Sequence, residues 1–296
     1  MKKKNLFEMA LILVAISFFS CNNVLAKSIP ADENPTLLVS RIFSESVNDT
    51  MSISVSLPAS YYESDTKTYP VVYILDGNLY FDIFRSMVNV YTQTGWPLEV
   101  ILVGIGYKNI PELAMLRSRD YTYPVADERY GLNMSGGGDK FLTFLNKELL
   151  PDLDKKYRTD KSNRVLFGHS LSAYFVEYAF TENLKNNDEV FQNYIAASPM
   201  LNYNKYYLLN AMENLGQVNP ALLSKTSIFT TFGEMENESP DPEMEKVELT
   251  VAKLEKLFTQ NKFNGLRNRS IVYSNLGHME TAIPTLMQGI IWVFTK

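Results

Sequence analysis

The sequence predicts an α/β fold in which a mostly parallel sheet carries helices on both of its faces. One observation is that short apolar runs alternate with stretches of helical periodicity along most of the 296-residue chain. A second is that several of these runs are continuously apolar, which is typical of strands buried on both faces. A third is that polar residues suited to catalysis follow several of the runs directly, as expected at the carboxyl edge of such a sheet.

The composition is that of a globular protein, with 46% hydrophobic and 21% charged residues. We expect a single catalytic domain over residues 36–296, because α/β folds of this size often remain undivided. The net charge is −5 and the sequence pI is about 5.3. No basic stripe is visible, so we expect neither nucleic acid nor an anionic membrane surface as a partner. The sequence leaves the oligomeric state open.

Residues 1–26 have the features of an export signal, with a basic start and an apolar stretch too short to remain a membrane helix. Cleavage after Ala26 would follow the small-x-small sequence Val24-Leu25-Ala26. Alternatively the signal ends at residue 20, and Cys21, the only cysteine, becomes a lipidated N-terminus. Either reading predicts an exported protein without disulfides, tethered to a membrane through Cys21 or not at all. Residues 27–35 are polar and read as a linker.

The first elements of the domain are an antiparallel hairpin, with strands at 37–43 and 51–58. A continuous apolar strand follows at 69–75, then a helix at 82–92 and a second buried strand at 98–106. In the stretch from Tyr107 to Gly138, the apolar residues do not recur at the spacing of a helix or of a strand. We interpret it as a long aromatic loop with a functional role.

The second half repeats the alternation of strand and helix. Asp139 is predicted to cap a helix whose apolar residues recur at three- and four-residue spacing. Further strands are predicted at 165–169, 194–197, 227–233 and 270–273, and further helices at 174–180, 247–258 and 283–294.

The stretch from Val165 to Ala173 is the centre of the predicted site. A buried strand, a Gly-x-Ser turn and a helix together indicate a nucleophile elbow, with Ser170 as the nucleophile at the apex. The backbone N–H of Leu171 is then a candidate oxyanion donor. Small neighbours are needed because the helix returns close to the strand, and Gly168 and Ser172 supply them.

A serine nucleophile needs a base, and the chain has two histidines. His169 lies inside the elbow, where its side chain is expected to point away from Ser170. His278 follows the last predicted strand, which makes it the candidate base. The order of serine, acid and histidine along the chain then matches that of α/β-hydrolases.

The acid is less sharply defined by the sequence. Glu234, Glu236, Glu238 and Asp241 all follow the strand before that of the base. We choose Glu236 first and Glu238 second. A serine–histidine dyad without an essential acid remains an alternative.

The chain resembles the putative-esterase (esterase D-like) family of α/β-hydrolases, in particular its siderophore-esterase branch. The matching segments lie along the whole domain: Tyr69–Gly77, Arg117–Thr122, Gly136–Gly138, Phe141–Pro151, Gly168–Leu171, Ala197–Pro199, Gly233–Glu236 and Gly277-His278. The resemblance implies Ser170, Glu236 and His278 as the triad. It also implies an oxyanion hole formed by the Leu171 N–H and a backbone N–H near Asn78.

Two departures from the family pattern bear on the site. Ser172 stands where the elbow usually has glycine, and Met200–Tyr203 stands where relatives often carry tryptophans. For substrate binding we select Arg117, Arg119 and Tyr121, because an arginine fork suits carboxylates and catecholates. The alternative is that Arg119 pairs with a nearby acid and only holds its segment.

The sequence thus predicts an exported serine esterase that acts on a small-molecule ester through an acyl-enzyme. The ester is a siderophore lactone or an aryl or acetyl ester. No cofactor is implied, and two histidines without ligand spacing argue against a catalytic metal. An acyltransferase with the same triad, or a binding protein built on a hydrolase scaffold, are the alternatives.

Overall fold

The computed structural model of the chain describes residues 36–95, 99–239 and 245–295. The predicted signal, Cys21 and the linker lie outside these ranges, as does Asp241. Within them, eight strands form one sheet in the order β1-β2-β4-β3-β5-β6-β7-β8. The strands are β1 (Leu37–Ser44), β2 (Asp49–Ser56), β3 (Tyr69–Ile74), β4 (Ile101–Gly106), β5 (Thr159–His169), β6 (Asn193–Ala197), β7 (Ser227–Gly233) and β8 (Arg267–Tyr273).

The predicted fold class is confirmed. β1 and β2 form the N-terminal antiparallel hairpin, and β2 also lies antiparallel to β4. All other neighbours from β4 to β8 are parallel. The hairpin turn contains Asn48 in a left-handed conformation with φ of 57°, which asparagine tolerates better than most residues.

Helices cover both faces of the sheet. They are α1 (Gly77–Gln93), α2 (Ile110–Tyr121), α3 (Gly138–Thr143), α4 (Leu150–Lys156), α5 (Leu171–Asn186), α6 (Tyr203–Glu213), α7 (Pro220–Leu223), α8 (Val247–Phe258) and α9 (Ala282–Phe294), with a π-helical turn at Phe144–Leu149 joining α3 to α4. None of the helices in the described ranges is long and apolar enough to span a bilayer.

The core has two layers because successive strand residues face opposite sides of the sheet. In β5, Val165 and Phe167 pack in the layer formed with α1 and α9. Leu166 faces the other layer, to which α3, α5, α6 and α8 contribute. Both layers are continuous under the carboxyl ends of the parallel strands, so the residues that follow those ends have a rigid support.

The prediction of an irregular stretch from Tyr107 to Gly138 is wrong for Ile110–Tyr121, which forms α2. Asn109 caps this helix, since its Oδ1 accepts a hydrogen bond from the Glu112 N–H at 2.9 Å, and Pro111 lies in the first turn. Both are ordinary start signals. The prediction that Asp139 caps the next helix is wrong by two residues, because Gly137 is at the cap position and Asp139 lies in the first turn of α3.

Candidate active site

The candidate catalytic and oxyanion residues come together at one edge of the sheet, next to Ser198. Asn78, Ser170, Ser198, Glu236 and His278 follow the carboxyl ends of β3, β5, β6, β7 and β8 respectively. These five strands are consecutive parallel neighbours. Sites in α/β sheets form outside these strand ends, and the sequence predicted this edge.

Ser170 occupies the sharp turn between β5 and α5. Its backbone has φ of 62° and ψ of −118°, a strained conformation for a residue with a side chain, which costs on the order of 1–3 kcal/mol. The Ser170 N–H donates to the carbonyl of Ala197 at 2.9 Å, which fixes the turn to β6. A Cβ atom on Gly168 would lie 2.3 Å from the Ser172 carbonyl oxygen, so the close return of the helix requires glycine there.

His278 and Glu236 form a hydrogen-bonded pair. The distance from Nδ1 of His278 to Oε2 of Glu236 is 2.9 Å. Because a carboxylate only accepts, Nδ1 carries the proton, and Nε2 is left to accept one. Of the described candidate acids, Glu236 is the one that contacts the histidine. Glu234 instead accepts from the Asn275 N–H, and Glu238 is exposed.

The Glu236 carboxylate is almost completely enclosed, with 4% of its side chain exposed. Burial alone would raise the pKa of Glu236, but hydrogen bonds from His278, Gly233 and Ser198 outweigh it and lower this pKa. Oε1 accepts from the Gly233 N–H and from the Ser198 hydroxyl, both at 2.6 Å. The acid is therefore held ionised and in a fixed orientation toward the imidazole.

A cavity of about 480 Å³ opens beside these residues, and both Ser170 and His278 line it. Its walls come from the segment after β6, the turn after β7 and the start of α8. The apolar part of the lining consists of Pro199, Met200, Leu201, Phe232, Met235 and Val247.

The candidate oxyanion donors lie at two adjacent helix starts. Leu171 is the first residue of α5, and Asn78 lies in the first turn of α1. Their strands are neighbours, with the Leu75 N–H donating to the Phe167 carbonyl at 3.0 Å. First-turn N–H groups have no partner inside their own helix. The Asn78 side chain is already engaged with both backbone polar groups of Tyr107, so its contribution would be the backbone N–H.

His169 is buried with 2% exposure, and its ring is bonded at both nitrogens. Nε2 donates to the backbone carbonyl of His278 at 2.7 Å, and Nδ1 accepts from the Tyr80 hydroxyl at 2.8 Å. Burial lowers the pKa of His169 to about 4, so the ring is neutral near pH 7. Both ring nitrogens are thus engaged away from Ser170, which agrees with the expectation that His278 is the better candidate for the base. Its contact with the loop of His278 was not predicted.

Asp76 links the elbow to the start of α1. Its side chain is fully buried and accepts two hydrogen bonds from Arg117, at 2.7 and 3.2 Å. It also accepts from the Ser172 hydroxyl at 2.7 Å, while the Ser172 oxygen accepts from the His169 N–H at 2.9 Å. Ser172 stands where glycine is usual, and its hydroxyl therefore links the elbow to Asp76 through hydrogen bonds.

The structure places Arg117, Arg119 and Tyr121, the predicted substrate contacts, in interactions within the protein. Arg117 is paired with Asp76, and Arg119 is paired with Asp49 at 2.8 Å and with Asp120 at 2.8 and 2.9 Å. Tyr121 is 1% exposed, and its hydroxyl accepts from the Asp76 N–H at 3.3 Å. None of the three lines the cavity. The structure favours the alternative in which the arginine pairs with acids and holds its segment.

Comparison with known proteins places the chain in a family. The family model described as "Putative esterase" matches residues 44–272. The ferri-bacillibactin esterase BesA of Bacillus subtilis is 27% identical over 264 residues, which cover 86% of this chain and 87% of that protein.

Solved structures agree with this assignment. The BES protein from Bacillus cereus is 25% identical with a TM-score of 0.71, over 89% of this chain and 96% of that one. An IroE-like serine hydrolase from Shewanella oneidensis is 26% identical with a TM-score of 0.69, over 86% and 78% of the two chains. The chain therefore belongs to the Putative esterase family and is a carboxylic ester hydrolase.

Proposed function

We propose that the protein is an exported serine esterase that works through an acyl-enzyme on Ser170. The observation that carries the proposal is the 2.9 Å pair of His278 and Glu236 at the wall of the cavity that Ser170 also lines. A serine on a strained turn, an imidazole with a free Nε2 and a buried carboxylate are the three parts that acyl transfer to serine needs.

In the first half of the reaction, Ser170 Oγ attacks the ester carbonyl while His278 Nε2 takes its proton. The bond from the carbonyl carbon to the alcohol oxygen then breaks, and the proton on Nε2 passes to the departing alcohol. In the second half, water attacks the acyl-enzyme with His278 again as base, and the acid is released as Ser170 regains its proton. The Glu236 carboxylate stabilises the imidazolium that forms in each half.

The negative charge on the carbonyl oxygen needs donors that are already in place. The starts of α1 and α5 offer backbone N–H groups near Asn78 and at Leu171, and these are the proposed oxyanion hole. Removing one such donor from a hydrolase typically costs about a hundredfold or more in kcat.

The substrate is proposed to be a carboxylic ester or lactone with an apolar or aromatic acid. The similarity to a ferri-bacillibactin esterase favours a siderophore lactone. The apolar lining contributed by Met200, Phe232 and Val247 is equally suited to an aryl ester.

Export is proposed from the sequence of residues 1–26, which lie outside the described ranges. Mass spectrometry of the mature N-terminus distinguishes the two forms. A lipidated Cys21 would give a membrane-tethered enzyme, whereas an unmodified Lys27 would give a soluble one.

The proposal is tested by comparing Ser170→Ala with Ser224→Ala on a panel of esters and lactones. Ser224 is exposed just before β7, at the opposite edge of the sheet. We expect the first variant to lose on the order of a thousandfold or more in kcat/KM and the second to keep full activity. Product analysis with added alcohols separates hydrolysis from acyl transfer. Full activity in Ser170→Ala would overturn the proposal.

A further inference from the structure

The charge of the cavity beside Ser170 limits which esters it can accept. The charged side chains that line it are Glu236, Glu238 and Glu245. No lysine or arginine lines the cavity in the part of the chain that the structure describes. The remaining lining is apolar, or carries hydroxyl and amide groups, as in Ser198, Asn202 and Tyr206.

The three carboxylates are not equivalent. Glu236 is engaged by His278 and belongs to the triad. Glu245 is paired with Lys253, whose Nζ lies 2.5 and 2.6 Å from its carboxylate oxygens. Glu238 is exposed, and no cation pairs with it among the described residues. Glu238 therefore contributes a negative charge at the cavity wall that no salt bridge in the described ranges neutralises.

Among the described cations near Glu238, Lys246 donates from Nζ to the Asn237 carbonyl at 3.0 Å and does not line the cavity. The two arginines near the elbow do not line the cavity either. Arg117, whose guanidinium comes within 3.3 Å of the His169 carbonyl, is already bonded to the buried Asp76. Arg119 is bonded to two carboxylates. A cleft lined by charges of one sign with apolar walls concentrates the electrostatic potential inside it. A bound anion would meet no cationic side chain in the described lining and would be repelled by Glu238.

We propose that this cavity selects uncharged or cationic esters over anionic ones, and that Glu238 is the residue that determines this selection. The proposal rests on the proposed function, since it concerns the site of Ser170. It adds a substrate class, namely esters with an apolar body and no negative charge on the group that enters the cavity.

The test uses three 4-nitrophenyl esters of similar size, whose acyl chains end in a carboxylate, in its methyl ester or in a trimethylammonium group. For the wild-type protein we expect kcat/KM for the anionic ester to be lower than for the neutral ester by roughly tenfold, with the cationic ester at least equal to the neutral one. The difference should narrow as salt is added, because Glu238 is exposed and its field is screened.

Two variants assign the effect to its residue. Glu238→Gln should raise the ratio of anionic to neutral kcat/KM by roughly fivefold, and Glu238→Lys should raise it further. The control is Glu255→Gln, an exposed change on α8 outside the cavity lining, which should leave the ratio as in wild type.

Equal wild-type rates on the anionic and neutral esters would overturn the proposed selectivity while leaving the esterase proposal intact. If both Glu238 variants keep the wild-type ratio of anionic to neutral kcat/KM, the role of Glu238 is overturned. If none of the esters is hydrolysed and Ser170→Ala behaves as wild type on every substrate, the proposed function fails and this inference fails with it.

Discussion

The imidazole of His169 donates from Nε2 to the backbone carbonyl of His278 at 2.7 Å. The residue next to the candidate nucleophile thus holds the loop that carries the candidate base. The second ring nitrogen is bonded to Tyr80 on α1, so the contact joins three segments of the site. His169 is a positioning residue in this arrangement.

Replacing His169 with phenylalanine should remove both hydrogen bonds and loosen the loop of His278. We expect kcat to fall by roughly tenfold with little change in KM, because misplacing a base by a fraction of an ångström affects the chemical step. His169→Gln keeps an N–H donor and should restore much of the rate. Because the pKa of His169 is about 4, neither variant should move the pH dependence of kcat/KM above pH 6. An unchanged kcat in the phenylalanine variant would contradict the positioning role.

Glu236→Gln should lower kcat by about a hundredfold or more while KM changes little, since the carboxylate acts on the imidazolium of the transition state. Glu234→Gln is the matched control, because Glu234 follows the same strand but bonds to the Asn275 N–H instead. Steady-state kinetics on one neutral ester is sufficient. Near-normal rates in Glu236→Gln would indicate a dyad without an essential acid.

Ser172→Gly would restore the glycine usual in the family, yet we expect it to destabilise this protein. The variant removes one donor to the buried Asp76 carboxylate and the acceptor for the His169 N–H. An unsatisfied buried group costs about 1–3 kcal/mol, which chemical denaturation can resolve. Ser86→Gly, at an exposed position within α1, controls for the cost of glycine in a helix. Equal stability of Ser172→Gly and wild type would show that the hydrogen bonds linking the elbow to Asp76 do not stabilise the fold.

The buried side chain of Glu177 makes the free energy of unfolding of the protein depend on pH. Its side chain on α5 is fully buried, Oε1 accepts from Thr230 at 2.7 Å, and Oε2 lacks a partner among the described residues. Burial raises its pKa from 4.5 to about 7. Because the raised pKa disfavours the ionised carboxylate in the folded protein, the contribution of Glu177 to the free energy of unfolding is fully present below pH 4.5. It is lost as the pH rises through about 7.

Glu177→Gln should therefore be more stable than wild type at pH 8, by up to roughly 3 kcal/mol for a shift of this size. At pH 5 the difference should shrink to about 1 kcal/mol or less. Urea denaturation at the two pH values measures the difference, with Glu255→Gln as the exposed control. A stability gain as large at pH 5 as at pH 8 would show that the effect does not come from ionisation.

Much of the fold was predictable because its signals are local. The alternation in β2 and the continuous apolar runs of β3 and β4 each indicate a strand without reference to the rest of the chain. Helix α2 was missed because its buried face includes Asp120 together with Leu113 and Tyr121. A buried aspartate breaks the apolar period, and its partners Arg119 and Tyr107 become evident only in three dimensions.

The candidate site likewise has a part that could be predicted from the sequence and a part that could not. Ser170 and His278 were predicted from a local turn motif and from their order along the chain, and Glu236 from its place after β7. The supporting network was not predictable, since Ser172 and Asp76 are 96 residues apart and Arg117 and Asp76 are 41 apart. Nothing in the sequence indicates that Arg117 forms an ion pair with a buried aspartate instead of binding substrate.

The central claim is that Ser170 is a nucleophile activated by His278, and covalent labelling tests it most directly. The wild-type protein should react with a fluorophosphonate, and peptide mapping by mass spectrometry should place the adduct on Ser170. His278→Ala should react slowly, and Ser170→Ala should remain unlabelled under conditions that label wild type completely. An adduct on Ser172 or Ser198, or equally fast labelling of Ser170→Ala, would contradict the account.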